Sequence, residues 1–520
     1  VRGGCGTTMD RRRKLCTVGI DVGTTHIKAV IFDEAGIEVA RSVVNTPSHA
    51  DGAGQVVWDP EAIWVKVAEA ARGAIQALNA CPAVGTSGST PEIVGVAVAS
   101  VGESGVALDR EGRPLYPIIA WFDPRTAPQA RWWSEKIGQV RTVAITGLSV
   151  KTIYSALKVL WMFEHVDGLR EAIDTWLPVS GFVSFRLTGA RAVDFSQASR
   201  TLLFDQAKLA WSQELLAASG IPSRILPELV PSGTLVGRVT AEASRRTGIP
   251  AGVPVFAGGH DHVCGALAVG ATRPGAVLDS CGTAESILTS CPDAAVLGAV
   301  CENGFSFGHH VVEGMHYAMG GLLASGGAVE WFMREFCGSS PSYERVVDLA
   351  KKSRPGAGGV VFVPRLLGSG PPTRDERATG AFARIRPSAT LADFARAVFE
   401  GLCFELKTAI SAMETAIGQR VSSVIATGGG ARNDLWLSIK ASVLGLPVEV
   451  PQVTEASALG AALLAGIGAG FYRNAEDALA KTLRIGRRVF PEESLRETYE
   501  DAYTVYITVS DALRRADANS

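Results

Sequence analysis

The chain has 520 residues, 47% of them hydrophobic and 57 of them glycine, which suits two buried α/β cores of roughly 240 residues each better than one. Its 50 Lys+Arg against 52 Asp+Glu leave a net charge of −2, which excludes a dedicated nucleic-acid or membrane-surface protein. No apolar run approaches the ~18 residues of a membrane span; Ala456 to Gly470 comes closest and is short and rich in Ala and Gly.

Residues 1–14 have no periodic pattern and read as a disordered tail, with Met9 before Asp-Arg-Arg-Arg-Lys as a plausible natural start. No apolar segment follows the basic run, so it is not a secretory signal. From Leu15 the chain becomes apolar: Val18 to Asp21 reads as a buried strand and Ala29 to Phe32 as a second. Between them lies Gly23-Thr24-Thr25. The pair predicts a β-hairpin whose turn N–H groups and hydroxyls can hold phosphate oxygens. Asp21 at its base can hold a magnesium ion, a hard cation that keeps several waters.

Asp59 before Pro60 predicts a helix start, with the helix running through Ile63 and Val67 towards Leu78. Cys81 to Glu92 is a Pro/Gly/Ser/Thr loop. Ile93 to Ala99 is a continuous apolar strand ending in Ser-Val-Gly-Glu103. Ligands of open α/β sheets gather at such carboxyl ends, so Glu103 is placed to meet a substrate. Ile118 to Trp121 is a further strand. Trp121 offers a face to a sugar ring, and Asp123 and Arg125 could bind hydroxyls or pair with each other. Residues 127–189 are helical, interrupted near Gly147 and Pro178. The Pro/Gly-punctuated stretch 222–254 marks the expected domain junction.

Val253 to Ala257 is a strand leading into Gly-Gly-His-Asp-His, where a helix begins. Asp261 therefore stands at a strand end and a helix start, where a catalytic carboxylate or an ordinary cap would sit. His260 and His262 would point different ways, which argues against a metal pair; His262 suits a hydroxyl contact. Val277 to Thr289 then repeats the opening device, a strand, a Gly282-Thr283 turn and a strand, roughly 260 residues after the first. Two such hairpins predict two similar halves that grip one polyphosphate from opposite sides of a cleft. Further on, Thr390 to Ile417 is a long helix. Val421 to Thr427 is a strand ending in Gly428-Gly429-Gly430-Ala-Arg-Asn433, a turn on which a flat ring can lie against backbone. Glu455 to Ala462 begins a small-residue helix fit to pack tightly beside the cleft. The nine cysteines form no Cys-x-x-Cys pair and read as reduced, buried thiols of a cytoplasmic protein.

Taken together and in this order, these motifs resemble the FGGY carbohydrate kinases of the actin, heat-shock-70 and hexokinase ATPase superfamily, over roughly Leu15 to Gly470. Asp21 to Lys28 is similar to the family's first phosphate motif, Ser280 to Glu285 to its second, Thr427 to Asn433 to its adenosine motif, and Ser155 to His165 to its signature helix. The resemblance implies an α/β protein of two duplicated ribonuclease-H-like domains with a cleft between them. The expected limits are residues 15–252 for the sugar-side domain, 253–500 for the second and 501–520 for a terminal helix or tail. It implies ATP and Mg2+, a small sugar (a ketose) or polyol as acceptor, no nucleic acid or membrane partner, and leaves a homodimer open. By resemblance Asp261 is the general base. Glu103, Trp121, Asp123, Arg125 and His262 face the sugar; Gly23, Thr24, Thr25, Lys28, Gly282, Thr283, Gly326, Gly429, Gly430 and Asn433 hold the nucleotide; Asp21 serves the metal. Glycerol kinases carry an arginine where Gly102 stands and a glutamine where His262 stands. Ile153 also departs from the family pattern, so the pocket does not read as one for glycerol. The competing readings are an actin-like ATPase without a sugar site, a non-catalytic sensor, and a dinucleotide-binding protein; the last lacks a Gly-x-Gly-x-x-Gly after a strand.

Overall fold

This computed structural model describes residues 15–50, 54–80, 91–338 and 341–518. The predicted tail and nearly all of the 81–92 loop lie outside them. A six-stranded sheet forms the first lobe: β1 (Leu15–Val22), β2 (His26–Asp33), β3 (Glu38–Asn45), β4 (Glu92–Ser100), β5 (Leu235–Arg238) and β6 (Pro254–His260), in the order β5-β6-β4-β1-β2-β3. A seven-stranded sheet forms the second: β7 (Ala276–Cys281), β8 (Glu285–Cys291), β9 (Ser306–His309), β10 (His316–Leu322), β11 (Ser423–Gly428), β12 (Val448–Pro451) and β13 (Ile485–Val489), in the order β9-β10-β8-β7-β11-β12-β13.

The duplication is explicit in the pairing. The series β3-β2-β1-β4-β6 runs antiparallel, antiparallel, parallel, parallel. The series β10-β8-β7-β11-β12 repeats that sequence of directions. Each hairpin sits at the same place in its sheet, with Val22 opposite Ile27 in one and Cys281 opposite Glu285 in the other.

The alternation of β1 and β4 decides what packs on each face. Val18, Ile20, Val96 and Val98 face α1 (Pro60–Ala80) and α3 (Val179–Thr188), which follows α2 (Ser155–His165) in the chain. Asp59 starts α1 as expected, its Oδ1 accepting from Glu61 N–H at 2.8 Å. The opposite face carries Gly19, Ala97 and Ala99, and against it lies α8 (Ala456–Gly468). A Cβ on Gly19 would come 1.8 Å from the Ala458 carbonyl oxygen, and one on Gly460 1.9 Å from that of Cys264, on α4 (Asp261–Ala268). α4, α8, Leu278, Leu288 and Ile425 share one core with the first sheet, so the lobes are joined through apolar packing.

Among the helices beside the second sheet are α5 (Gly326–Phe336), α6 (Leu391–Ile417), α7 (Asp434–Leu444) and α9 (Arg496–Ala518). No described helix is long and apolar enough to cross a membrane.

The expected boundary at residue 252/253 does not coincide with the sheets. β6 pairs in parallel with β4 inside the first sheet, so the first lobe continues through His260. The Pro/Gly stretch before it marks surface turns around β5, which pairs with β6. The terminal helix starts at Arg496, a few residues earlier than expected. Because the α8–β1 approach leaves no space for a methyl group, Gly19→Ala should destabilise the protein by about 1–3 kcal/mol. A lowered urea midpoint checks this; an unchanged midpoint refutes the close-packing account.

Candidate active site

The face of β1 that carries Gly19 also carries Asp21, two residues on, and so aims it at the start of α8. Asp21 is 8% exposed, and its Oδ1 is buried with no hydrogen-bond partner. Lys28, opposite it in the hairpin, approaches the other oxygen only to 4.0 Å. Lys28 is instead committed to Glu455, the residue preceding α8, at 2.6 Å, and Arg41 lies 3.6 Å from the same carboxylate. Burial, the neighbouring Asp261 and Glu455 push the Asp21 carboxyl up to about 7 against the pull of Lys28.

Asp261 reaches this crevice through a break in β6. The pairing with β4 shifts register between Phe256 and Gly259, and Gly258 packs where a Cβ would sit 2.0 Å from the Val98 carbonyl oxygen. Such a bulge re-aims the side chains beyond it. Ser196 holds the turn, its Oγ accepting from His260 N–H at 2.9 Å, and buried Asp194 in turn bonds Ser196. The Asp261 side chain is 18% exposed; its Oδ1 accepts from His262 N–H at 2.6 Å. Burial raises its pKa, and His262 pulls it back. A cavity of about 100 Å³ beside it is lined by Asp261, His262, Ser280, Thr427 and Ser457, strand ends and helix starts of both lobes. The two histidine rings do not diverge as expected. The strand stops at His260, and the rings lie 5.7 Å apart and 30° from parallel.

Both turns end in exposed tips. Gly23 N–H closes the first turn on His26 C=O at 3.0 Å, leaving Thr25 exposed. In the second, Gly282 and Thr283 are exposed, and their carbonyls accept from Gly326 and Gly327 N–H at 3.0 and 2.9 Å. Gly326 is thus the brace of the second turn: a Cβ there would lie 2.7 Å from Gly282 O. Gly429 and Asn433 line a cavity of about 400 Å³ with Tyr343, Val347, Lys351 and Arg432. Asn433 starts α7 by accepting from Trp436 N–H and donates to Tyr343 Oη at 3.0 Å. Gly430 does not line that cavity; it packs on Cys281 and Trp436.

On the sugar side the candidate residues divide. Glu103 is 6% exposed at φ 63°, and Arg200 closes on its carboxylate at 2.5 Å. Gly102 must be small, since a Cβ there would lie 2.6 Å from the His260 ring. Trp121 donates from Nε1 to Thr24 Oγ1 at 3.0 Å, joining the substrate side to the first phosphate turn. Asp123 is fully buried and spent: it accepts from Val56 N–H at 2.6 Å and from Arg125 Nε and Nη2 at 2.9 and 2.7 Å. Arg125 then stacks over Trp161 at 4.9 Å. Of the alternatives left open for these two residues, mutual pairing is the one present.

Sequence reasoning missed Arg200, Tyr343 and Lys440. Arg200 had a signal, the one charge in the run Phe195 to Phe204. Lys440 lies buried between Glu285 at 2.9 Å, Cys281 Sγ at 3.4 Å and Asp279. Asp279, Cys281 and Glu285 are spaced like metal ligands, but the lysine ammonium fills the place a cation would take. Burial and Glu285 push Asp279 well up. Burial pushes Glu285 the same way, but Lys440 outweighs it and holds that carboxyl below its usual range. The buried cysteines 264 and 281 stay protonated, burial raising both thiols well above their usual range.

Duplicated sheets, paired turns and an acid at the shared crevice define a two-domain protein of the actin-like ATPase fold. Residues 16–268 match the N-terminal domain of the FGGY family of carbohydrate kinases, and residues 279–469 match its C-terminal domain. The chain belongs to that family and is an ATP-dependent phosphotransferase acting on an alcohol group. It is 28% identical over 510 residues to a xylulose kinase of Staphylococcus epidermidis, covering 97% of this chain and 98% of that protein. It is 33% identical over 501 residues to a glycerol kinase of Citrifermentans bemidjiense, covering 94% and 96%. The crystal structure of xylulose kinase from Rhodospirillum rubrum superposes with a TM-score of 0.86 at 27% identity, covering 97% of this chain and all of that one.

Trp121→Phe keeps an aromatic face but removes the donor to Thr24. A hydrogen bond of about 1 kcal/mol corresponds to a roughly fivefold effect. Steady-state kinetics should show KM for ATP raised by that factor, with KM for the acceptor little changed; an unaltered KM for ATP refutes the link.

Proposed function

We propose that the enzyme phosphorylates a hydroxyl of a small sugar or sugar-derived polyol with Asp261 as general base. The observation that carries this reading is the crevice in which Asp261, itself close enough to raise the Asp21 carboxyl, meets Ser280 and Thr427 at the strand ends of the second lobe. The acceptor oxygen bonds to the γ-phosphorus while the bond from that phosphorus to the β,γ-bridging oxygen breaks. ADP leaves, and the hydroxyl proton passes to Asp261. Phosphoryl transfer depends chiefly on positioning and on neutralising spread charge. Thr24 and Thr25 on one side, and Gly282 and Thr283 on the other, hold the phosphates. The 400 Å³ cavity beside Gly429 and Asn433 takes the adenosine.

Asp21 fits a magnesium ion. Its Oδ1 is buried and unpartnered, and Asp261 and Glu455 nearby add negative charge that Lys28 alone does not offset. Asp21 would hold the ion, which when bound would neutralise charge on the transferring phosphoryl group. His262 and Trp121 face the acceptor, and Glu103 is held for it by Arg200. The relatives' names, xylulose and glycerol kinase, span ketose and polyol acceptors and support the class rather than one compound. The described cysteines are free and buried, which supports a reducing, cytoplasmic setting.

General bases contribute about 10²–10⁴-fold. Asp261→Asn should cut turnover by that much while calorimetry still detects nucleotide binding; retained turnover sinks the assignment. Asp21→Asn should raise the magnesium concentration needed for half-maximal rate by about tenfold, and an unmoved magnesium titration removes Asp21 from that role.

A further inference from the structure

Asp21 and Lys28 stand directly opposite each other in the first hairpin. Opposed residues of an antiparallel pair project from the same face, and opposite charges there attract across the strands. This pair does not close. Lys28 Nζ stays 4.0 Å from Asp21 Oδ2, and Asp21 Oδ1 is buried without a partner. The ammonium has gone to Glu455 instead, donating to its Oε2 at 2.6 Å. Arg41 on β3 lies 3.6 Å from the other oxygen of that carboxylate, Oε1. Both oxygens of Glu455 therefore face cations carried by the first sheet.

The hairpin plan itself does not ask for this arrangement. In the second hairpin the residue two before Gly282 is Ser280, and it pairs with Ser286, so the same place holds no charge. Nor is Glu455 free to follow the lysine. It precedes α8, its carbonyl accepts from Leu459 N–H at 2.9 Å, and α8 is locked on β1 where Gly19 meets Ala458. Its side chain is 14% exposed, against 26% for Lys28. A carboxylate on a fixed helix start thus sets where an ammonium on a flexible four-carbon stem comes to rest. The second lobe shows what a lysine does when nothing draws it off: Lys440 closes on Asp279 and Glu285 together.

We infer that Glu455 is a positioning residue for the metal: it draws Lys28 aside from its cross-strand partner, so that Asp21 keeps an oxygen open to magnesium instead of being closed by its own lysine. Glu455 acts through Lys28 and does not itself hold the ion. The resemblance assigns Glu455 no role. This inference rests on the reading of Asp21 as the residue that serves magnesium.

The test measures metal binding directly. Manganese stands in for magnesium, and the electron paramagnetic resonance signal of the free ion gives its dissociation constant in enzyme saturated with ADP. Wild type is compared with Asp21→Asn, Glu455→Gln, Glu455→Asp, Lys28→Met and the double variant Glu455→Gln/Lys28→Met. Glu455→Gln keeps the size of the side chain and removes its charge, so Lys28 falls back on Asp21 and metal binding should weaken about tenfold or more. Glu455→Asp should recover part of that loss. Lys28→Met should bind the metal at least as tightly as wild type, and the double variant should return to within roughly twofold of Lys28→Met. That rescue separates the inference from mere support of α8, since a helix start damaged at Glu455 is not repaired by changing a lysine on β2. If Asp21→Asn weakens binding and Glu455→Gln does not, the inference falls and the magnesium reading of Asp21 stands. If Asp21→Asn leaves binding unchanged, both fall. A double variant as weak as Glu455→Gln, or weakened binding in Lys28→Met, also overturns the inference.

Discussion

A helix lies too close to a sheet to admit a methyl group, and the active site depends on that contact. α8 crosses the face of β1 that carries Gly19. Because strand side chains alternate, Asp21 emerges from the same face one step nearer the cleft. The start of α8 brings Glu455 to Lys28 and lines the crevice with Ser457 next to Asp261. One steric constraint therefore fixes an acid from the first hairpin, an acid from α4 and the start of a helix that lies between β12 and β13 in the chain. α4 itself is locked to α8 at Gly460. Larger residues at these contacts would separate the lobes at the point where chemistry needs them together.

The crevice that results is electrostatically unfinished. Asp261 and Glu455 both act on Asp21, and Lys28 is shared between Glu455 and a longer approach to Asp21. Buried like charges cannot all ionise without a cation, and the pushed-up Asp21 carboxyl expresses this. The contrast with Lys440 is instructive. There the acids of β7 and β8 close around a lysine on α7 with no orphan beyond one Asp279 oxygen. That cluster braces the second turn and the start of α7, where Asn433 meets Tyr343. One acidic group is structurally complete and the other is open, and the open one faces the cleft.

Much of this was legible because local chemistry and global fold agree. The hairpins could be read from β-branched runs broken by Gly-Thr tips, and Asp59-Pro60 announced its helix. Asp21, Asp261 and the turn residues could be placed by strand ends alone. What escaped was set by distant pairing. Pairing of Asp123 with Arg125 was one of the open alternatives, but nothing near Asp123 in the chain says that Val56 N–H takes up one of its oxygens. The boundary at 252 failed because sheet membership of β6 is a long-range fact, decided by β4 more than 150 residues earlier. Gly326 and Gly430 were expected to hold the nucleotide; Gly326 packs against the Gly282 backbone and Gly430 against the Cys281 and Trp436 side chains.

The two lobes share one strand plan yet differ in what was added to it. The second lobe puts its additions around the 400 Å³ cavity, with Tyr343, Val347 and Lys351 from one helix facing Gly429. In the first lobe the additions, residues 101–230, supply Glu103, Trp121 and Arg200. They are anchored twice: to the first phosphate turn through Trp121 and Thr24, and to the edge of the second sheet through Gly147 and Ser199, whose Oγ accepts from His309 N–H at 3.0 Å. An acceptor bound among those residues thus touches a segment pinned to both halves of the nucleotide grip. Binding energy spent there can favour the closed arrangement that excludes water, which is what separates phosphorylation of an alcohol from hydrolysis of ATP. The duplicated cores build the grip on ATP, and the inserted segment makes that grip answer to the acceptor.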